Sequence, residues 1–293
     1  MSETMPFVSL IMPAKNEGIN VLTTIDSALQ AKTKYPFEII IVDDGSTDQC
    51  CDFVHSHESS NRMQLIRTEG IGLARAKNLG AERSKGDFLI FCDAHLQFED
   101  LWIDRLLEPI RNQMCDGITP GIAPIDNPSQ VGYGQTLNYT LSVQWNGLQQ
   151  QTPFPTAVLP GGCFAVSRTV FFDIGGFDKG FKVWGYEDVE ISLKMWLFGY
   201  RCYAQPAVKI LHLFRTSFPY TVSYDDVYYN MLRMAYSHFN ETRIHKCRQI
   251  IRQLNSNLDH LVRSNGVLEQ RHHYFNRRKH DDNWYMSTFR VPF

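Results

Sequence analysis

Four short apolar runs, each followed by a stretch of helical character, limit what the first hundred residues can become. Residues 8–12, 38–42, 63–67 and 88–92 are rich in Ile, Val, Leu, Met and Phe, as expected of strands covered on both faces. Between and after them, residues 21–31, 72–84 and 102–113 read as helices, and a further helix is expected from Asp48 to about residue 57. Parallel strands need long crossovers, so this β-α alternation predicts a mostly parallel sheet with helices on both sides, an α/β fold. Open sheets of this kind hold ligands beyond the carboxyl ends of their strands. In this chain those ends carry the chemistry.

The second run ends in Asp43-Asp44-Gly45-Ser46-Thr47-Asp48 and the fourth in Asp93-Ala94-His95. Clustered carboxylates repel one another and do not favour folding by themselves. An Asx turn or helix cap accounts for Ser46 or Asp48 but leaves Asp43 unexplained. Asp93 and His95 are both metal-competent, and in extended backbone positions i and i+2 share a side, so one divalent cation can be gripped by both. The competing reading is a polar strand-to-helix turn capped by Asp93.

From residue 117 to 160 prolines punctuate the chain, which reads as loop-rich, with one or two strands or a helix near 137–148. Such regions often bind the variable partner of a reaction. Gly161 and Gly162 then let a backbone approach a ligand closely. Glu187 and Asp188 open a helix that runs to about 198; the macrodipole favours carboxylates there, and one of them can also serve as a general base. A strand over 201–210, interrupted by Pro206, leads into Leu211-His212-Leu213-Phe214-Arg215, a source of a third metal ligand. Helices follow over 227–239 and 244–261, then a basic and aromatic tail that reads as solvated or interfacial. These C-terminal helices are candidate contacts for a homo-oligomer or an acceptor platform.

The 293 residues suffice for one large domain with an extension, and the boundary is expected at 222, with 223–293 as a helical C-terminal extension and tail. A net charge of −2 gives no field that would recruit nucleic acid or a membrane surface. Seven cysteines without metal or disulfide spacing point to a reducing compartment. No signal-like start and no long apolar run occur, so no integral membrane segment and a cytoplasmic location are expected.

Together these motifs resemble the nucleotide-sugar glycosyltransferases of the GT-A (Rossmann-like) fold, family 2 type, over roughly residues 7–222. Val42-Asp43-Asp44-Gly45-Ser46 is similar to that family's first signature. Asp93-Ala94-His95, Gly72-Leu73-Ala74-Arg75-Ala76, Pro160-Gly161-Gly162-Cys163-Phe164, Trp184-Gly185-Tyr186-Glu187-Asp188-Val189-Glu190 and His212-Leu213-Phe214-Arg215 resemble segments of the polypeptide N-acetylgalactosaminyltransferases. The resemblance implies a metal held by Asp93, His95 and His212, with Mn²⁺ first and Mg²⁺ second. It implies a UDP-sugar donor contacted by Pro13, Lys15, Glu17, Asp43, Asp44, Arg75, Asp93, Ala94, Gly161, Gly162, Trp184, Arg215 and Tyr220.

Lys15 stands where the family has His. Asp188 stands where the N-acetylgalactosaminyltransferases have Asn, which makes Glu187-Asp188 look like the acidic pair of inverting transferases. The expectation is therefore transfer to a hydroxyl or thiol of a peptide, protein or glycan, with inversion. In that reading Asp188 is the base and Glu187 holds sugar hydroxyls. The alternatives are a retaining enzyme, as the N-acetylgalactosaminyltransferases are, or a non-catalytic sugar-nucleotide-binding protein.

Overall fold

The computed structural model describes residues 5–252 and 257–293. In chain order the first half runs β1 (Val8–Ala14), α1 (Asn20–Gln30), β2 (Phe37–Asp44), β3 (Met63–Thr68), α2 (Leu73–Arg83), β4 (Phe88–Cys92), β5 (Leu96–Gln97), α3 (Trp102–Arg111) and β6 (Gly117–Pro124). The second half runs β7 (Gly132–Tyr133), β8 (Gln135–Leu137), β9 (Val143–Trp145), β10 (Phe154–Pro155), β11 (Cys163–Ser167), α4 (Arg168–Asp173), α5 (Glu187–Leu197) and β12 (Cys202–His212). Helices α6 (Tyr224–His238), α7 (Glu241–Arg252), α8 (Leu258–Arg263), α9 (Val267–Arg277) and α10 (Asp282–Thr288) complete it.

The main sheet has the order β10-β12-β6-β11-β4-β1-β2-β3. The pairs β1–β2, β1–β4, β2–β3 and β6–β12 are parallel, while β11 runs antiparallel to both β4 and β6. The strand order reverses around β1, which makes the carboxyl ends of β1 and β4 the natural crevice. Successive strand residues face opposite layers, as the pleat requires. Leu10, Ile39, Ile41 and Ile90 pack with Trp102 and Leu106 on one side. On the other, Ile11, Ile40, Val42, Leu89 and Phe91 join a core that reaches Tyr229, Leu232, Tyr285 and Phe293.

Several local expectations change. The helix expected from Asp48 is two short 3₁₀ turns at Asp52–His55 and Ser60–Arg62. The Asp48 carboxylate is used elsewhere, accepting from the Gly18 and Cys50 N–H groups. The supposedly loose region opens with the buried strand β6, despite Pro120 and Pro124. Pro120 is tolerated because the β11 ladder ends at Ile118 and that of β7 begins at Gly121. Near 137–148, where one or two strands or a helix were expected, the chain takes the two-strand form as the β8–β9 hairpin. Pro206 sits in a register shift between Gln205 and Lys209, so the strand continues past it. The helix expected over 244–261 is α7 and α8, and residues 253–256 lie outside the described residues.

Buried polar links cross the boundary expected at 222. Arg233 of α6 donates to both oxygens of Asp178, at 3.0 and 2.9 Å. His238 bonds Glu190 of α5 at 2.8 Å, and Asn230 donates to the carbonyls of Trp184 and Gly185. A chain ending at residue 222 would expose one whole apolar layer and strand Asp178 and Glu190 without these partners. It is expected to lose cooperative unfolding, as checked by near-UV circular dichroism during a urea titration.

Candidate functional site

A cleft of about 530 Å³ opens at the carboxyl edge of the sheet, lined by Pro13, Lys15, Asp44, Asp93, His95, Gly161, Gly162, Trp184, His212 and Arg215 among others. Its volume is in the range of ordinary small-molecule sites. Asp93 follows β4 and His212 closes β12, several strands away in the sheet. The link between them is β5. Directly after Asp93-Ala94-His95 the chain pairs antiparallel with the end of β12, matching Leu96 to His212, and Leu213 N–H donates to the His95 carbonyl. That pairing sets the two imidazoles side by side, with ring centres 4.7 Å apart. Residues 93–95 form a bend and do not extend β4, so the shared orientation comes from β5 rather than from strand alternation.

His212 Nε2 lies 3.2 Å and His95 Nε2 3.8 Å from Asp93 Oδ2. One ligand atom from each residue lies within 4.8 Å of the others, a spacing that one cation can bridge. Burial alone would raise the Asp93 carboxyl, but the hydrogen bond from His212 and the charges of His95, His212 and Lys77 hold it well below the carboxylate range. It therefore stays anionic and ready for a metal. Gly162 borders the group. A Cβ there would stand 3.2 Å from His212 Cδ2 and 3.5 Å from Asp93 Oδ2, so only glycine leaves this space open. An oxygen and two nitrogens around an open volume fit Mn²⁺ better than Mg²⁺, which prefers all-oxygen shells.

Opposite lies the N-terminus of α5. Tyr186 caps it at φ +65°, in the left-handed region, where a non-glycine residue costs about 1–2 kcal/mol. That turn aims Glu187 and Asp188 at the segment 160–162. Asp188 Oδ2 accepts from Gly161 N–H at 2.9 Å and Oδ1 from Val189 N–H at 2.8 Å. The fully buried Lys77 Nζ bonds Glu187 Oε1 at 3.2 Å and the Gly161 carbonyl at 3.3 Å. Gly161 is thus clamped through both its N–H and its carbonyl. Burial lowers the Lys77 ammonium, but the charges of Glu187, Asp93 and Asp188 more than reverse this and hold it protonated. Burial, reinforced by Glu187, pushes the Asp188 carboxyl up to about 6, against the pull of Lys77 and the two N–H groups.

Two expected donor contacts lie outside the cleft. Arg75 is exposed and donates to the Lys179 carbonyl at 2.7 Å. Residues two apart on a helix face nearly opposite ways, so α2 sends Lys77 to the site in its place. Asp43 turns to Arg67 and the Ser46 N–H, while Asp44, on the other side of the pleat, lines the cleft and accepts from Thr68, Ile71 and Gly72. Ala94, Tyr220 and Glu17 also line it. Asp188 is there too, but its oxygens face backbone donors, not an acceptor group. Lys77 was not singled out as a site residue. Its only sequence signal was its place two positions beyond Arg75, on the opposite face of the same helix.

The description "Glycosyl transferase family 2" matches residues 9–175, and "N-terminal domain of galactosyltransferase" matches residues 146–217. Polypeptide N-acetylgalactosaminyltransferase 8 of Drosophila melanogaster is 34% identical over 230 residues, covering 73% of this chain and 39% of the relative. Polypeptide N-acetylgalactosaminyltransferase 11 of Xenopus tropicalis is 28% identical, covering 81% and 43%. The chain thus spans about two fifths of the length of these curated relatives. Among solved structures, GalNAc-T7 with UDP, GalNAc and Mn²⁺ superposes with a TM-score of 0.76 at 22% identity, covering 98% of this chain and 57% of that one. A mannosyltransferase from Pyrobaculum calidifontis with GDP-Man and Mn²⁺ superposes at 0.58 and 16% identity, covering 93% and 74%. The GT-A fold follows from these superpositions. No helix among the described residues is long and apolar enough to cross a membrane.

Lys77→Met leaves Glu187 buried without its cation and is expected to cost about 3–5 kcal/mol in urea denaturation, most of it recovered in the Lys77→Met/Glu187→Gln double variant. Additive losses in the double variant would dismiss the clamp. Asp188 supplies a pH test. Its folded pKa of about 6 lies above the ordinary 3.8, so the folded state holds a proton that the unfolded chain has released. Its contribution to stability is complete below that ordinary value and lost as pH rises through 6. Asp188→Asn should therefore stabilise the protein at pH 8 relative to wild type, but not at pH 3.5, when melting temperatures are compared.

Proposed function

The chain belongs to glycosyl transferase family 2, and from that premise we propose that it transfers N-acetylgalactosamine from its UDP-sugar to a hydroxyl of a peptide or protein, with retention of anomeric configuration. The observation that carries the proposal is the Asp93, His95 and His212 group beside the glycine floor of the cleft. Similarity to polypeptide N-acetylgalactosaminyltransferases, and to the fold that holds UDP, GalNAc and Mn²⁺, supports the choice of donor.

Glycosyl transfer asks a nucleoside diphosphate to leave an anomeric carbon. A divalent cation at this group would act as a Lewis acid on the departing diphosphate. The chain's own residues do the rest. Arg215 lines the same wall, with its fork engaged by Glu17, and would bring positive charge and its remaining N–H donors near the phosphates. Gly161 and Gly162 keep the floor flat enough for a sugar ring. Glu187, fixed by Lys77, presents its carboxylate along that floor.

Retention is favoured over the inversion expected at first because of Asp188. A general base needs an oxygen aimed at the acceptor proton. Both Asp188 oxygens instead accept backbone N–H bonds, so its position suits holding the 160–162 segment. In a retaining transfer the acceptor attacks on the face the leaving group departs from, and a departing phosphate oxygen can take its proton. At the mouth of the cleft, Trp145, Phe214 and Phe218 are 42%, 47% and 49% exposed. Such a rim of amphipathic and apolar rings suits the flanks of an extended peptide.

The test is incubation with UDP-N-acetylgalactosamine, UDP-N-acetylglucosamine and UDP-galactose, each with Mn²⁺ and a Ser/Thr peptide panel. The expected outcome is chelator-sensitive transfer from the first donor and an α-linked product by NMR. A β-linked product would return Asp188 to the role of base. Asp188→Asn is expected to lose less than about tenfold in kcat, where removal of a true base would cost about 10²–10⁴.

A further inference from the structure

We propose that Glu17 is a positioning residue for the metal group, holding the His95 ring so that Nε2 faces the cation; this rests on the metal reading of Asp93, His95 and His212. Sequence reasoning placed Glu17 among the donor contacts. In the structure its carboxylate, only 7% exposed, reaches across from the turn after β1 and lies 3.1 Å from His95 Nδ1. A carboxylate can only accept, so Nδ1 carries a proton, and Nε2 is left as the ring nitrogen that a metal ion can take.

Nε2 faces Asp93 Oδ2 at 3.8 Å, too far for a hydrogen bond. With Nδ1 held by Glu17, the ring can offer a cation only Nε2, on the side where Asp93 and His212 lie. Glu17 thus prepares His95 for a metal ion. The carboxylate is itself held by Arg215, whose two terminal nitrogens bond its two oxygens. The chain Arg215–Glu17–His95 fixes ring orientation and tautomer together.

The second imidazole lacks such support. His212 Nδ1 is buried and has no hydrogen-bond partner. His95 is therefore the imidazole whose orientation is set from outside the ligand group, and removal of Glu17 should loosen it. Outer partners of metal-ligating histidines typically contribute 10- to 100-fold to metal affinity.

The experiment is Mn²⁺ binding to the full chain by calorimetry, without donor, for wild type, Glu17→Ala, Glu17→Gln and Asp93→Ala. Glu17→Ala should bind about 10- to 100-fold more weakly. Glu17→Gln should fall between, because its amide oxygen still accepts from Nδ1. If Asp93→Ala loses Mn²⁺ but Glu17→Ala binds like wild type, the positioning role is wrong and the metal site stands. Should Asp93→Ala bind Mn²⁺ unchanged, the metal reading itself falls. A second readout is ¹⁵N-histidine NMR of the metal-free protein at pH 8. Wild type should show His95 as the Nδ1–H tautomer, and Glu17→Ala a mixture with Nε2–H. Identical tautomer signals in both would also overturn the role. If Glu17→Ala does not fold, the same comparisons are made with Glu17→Gln.

Discussion

The pairing of two residues, Leu96 and Gln97, with the end of β12 is the constraint on which the rest of the cleft depends. Without it Asp93 and His212 end strands separated by β11 and β6, and nothing would bring the two imidazoles together. Backbone hydrogen bonds are directional and set register residue by residue. A pairing this short can therefore place a metal-ligand group with a precision that side-chain packing alone would not supply. The antiparallel β11 adds the other wall. Its register puts Gly162 beside Asp93, and Asp93 N–H donates to the Gly162 carbonyl.

Around that edge the protein buries an unusual amount of charge. Lys77 with Glu187, Lys194 with Glu190 and His238, and Arg233 with Asp178 are all almost wholly shielded from water. Removing charges from water is expensive, and such pairs contribute little net stability compared with apolar packing. What they do supply is position. Glu187 and Glu190 lie on the first turn of α5, so one side of that turn is tied to the glycine floor and the other to α6. The C-terminal helices thereby take part in setting where the cleft wall stands, and their apolar faces belong to the same core as Phe91 and Phe164.

Much of this was legible in the chain itself. The sheet, its direction and the acidic strand ends followed from apolar runs alternating with helical stretches. The ordered motifs pointed to the family before any coordinates. The less legible parts share a cause. The strand β6 was hidden by its own prolines, because what tolerates a proline is the presence or absence of a neighbouring ladder. The helix expected after Asp48 is instead two 3₁₀ turns, and that carboxylate joins the Gly18 N–H, far along the chain, to the local Cys50 N–H. For Asp188, residue type and spacing say nothing about which atoms its oxygens face, and both accept backbone N–H bonds.

Sequence alone settled the layer architecture and the kinds of side chain gathered at one edge, since both follow from local periodicity and from where apolar runs stop. Tertiary structure chose among neighbours: Asp44 over Asp43 at the cleft, Lys77 over Arg75 as the support beneath its floor, and Glu17 as the partner of His95. The physical reason is that alternation along a strand or around a helix guarantees that adjacent candidates point apart. Which of them turns toward the site is decided by long-range register and packing.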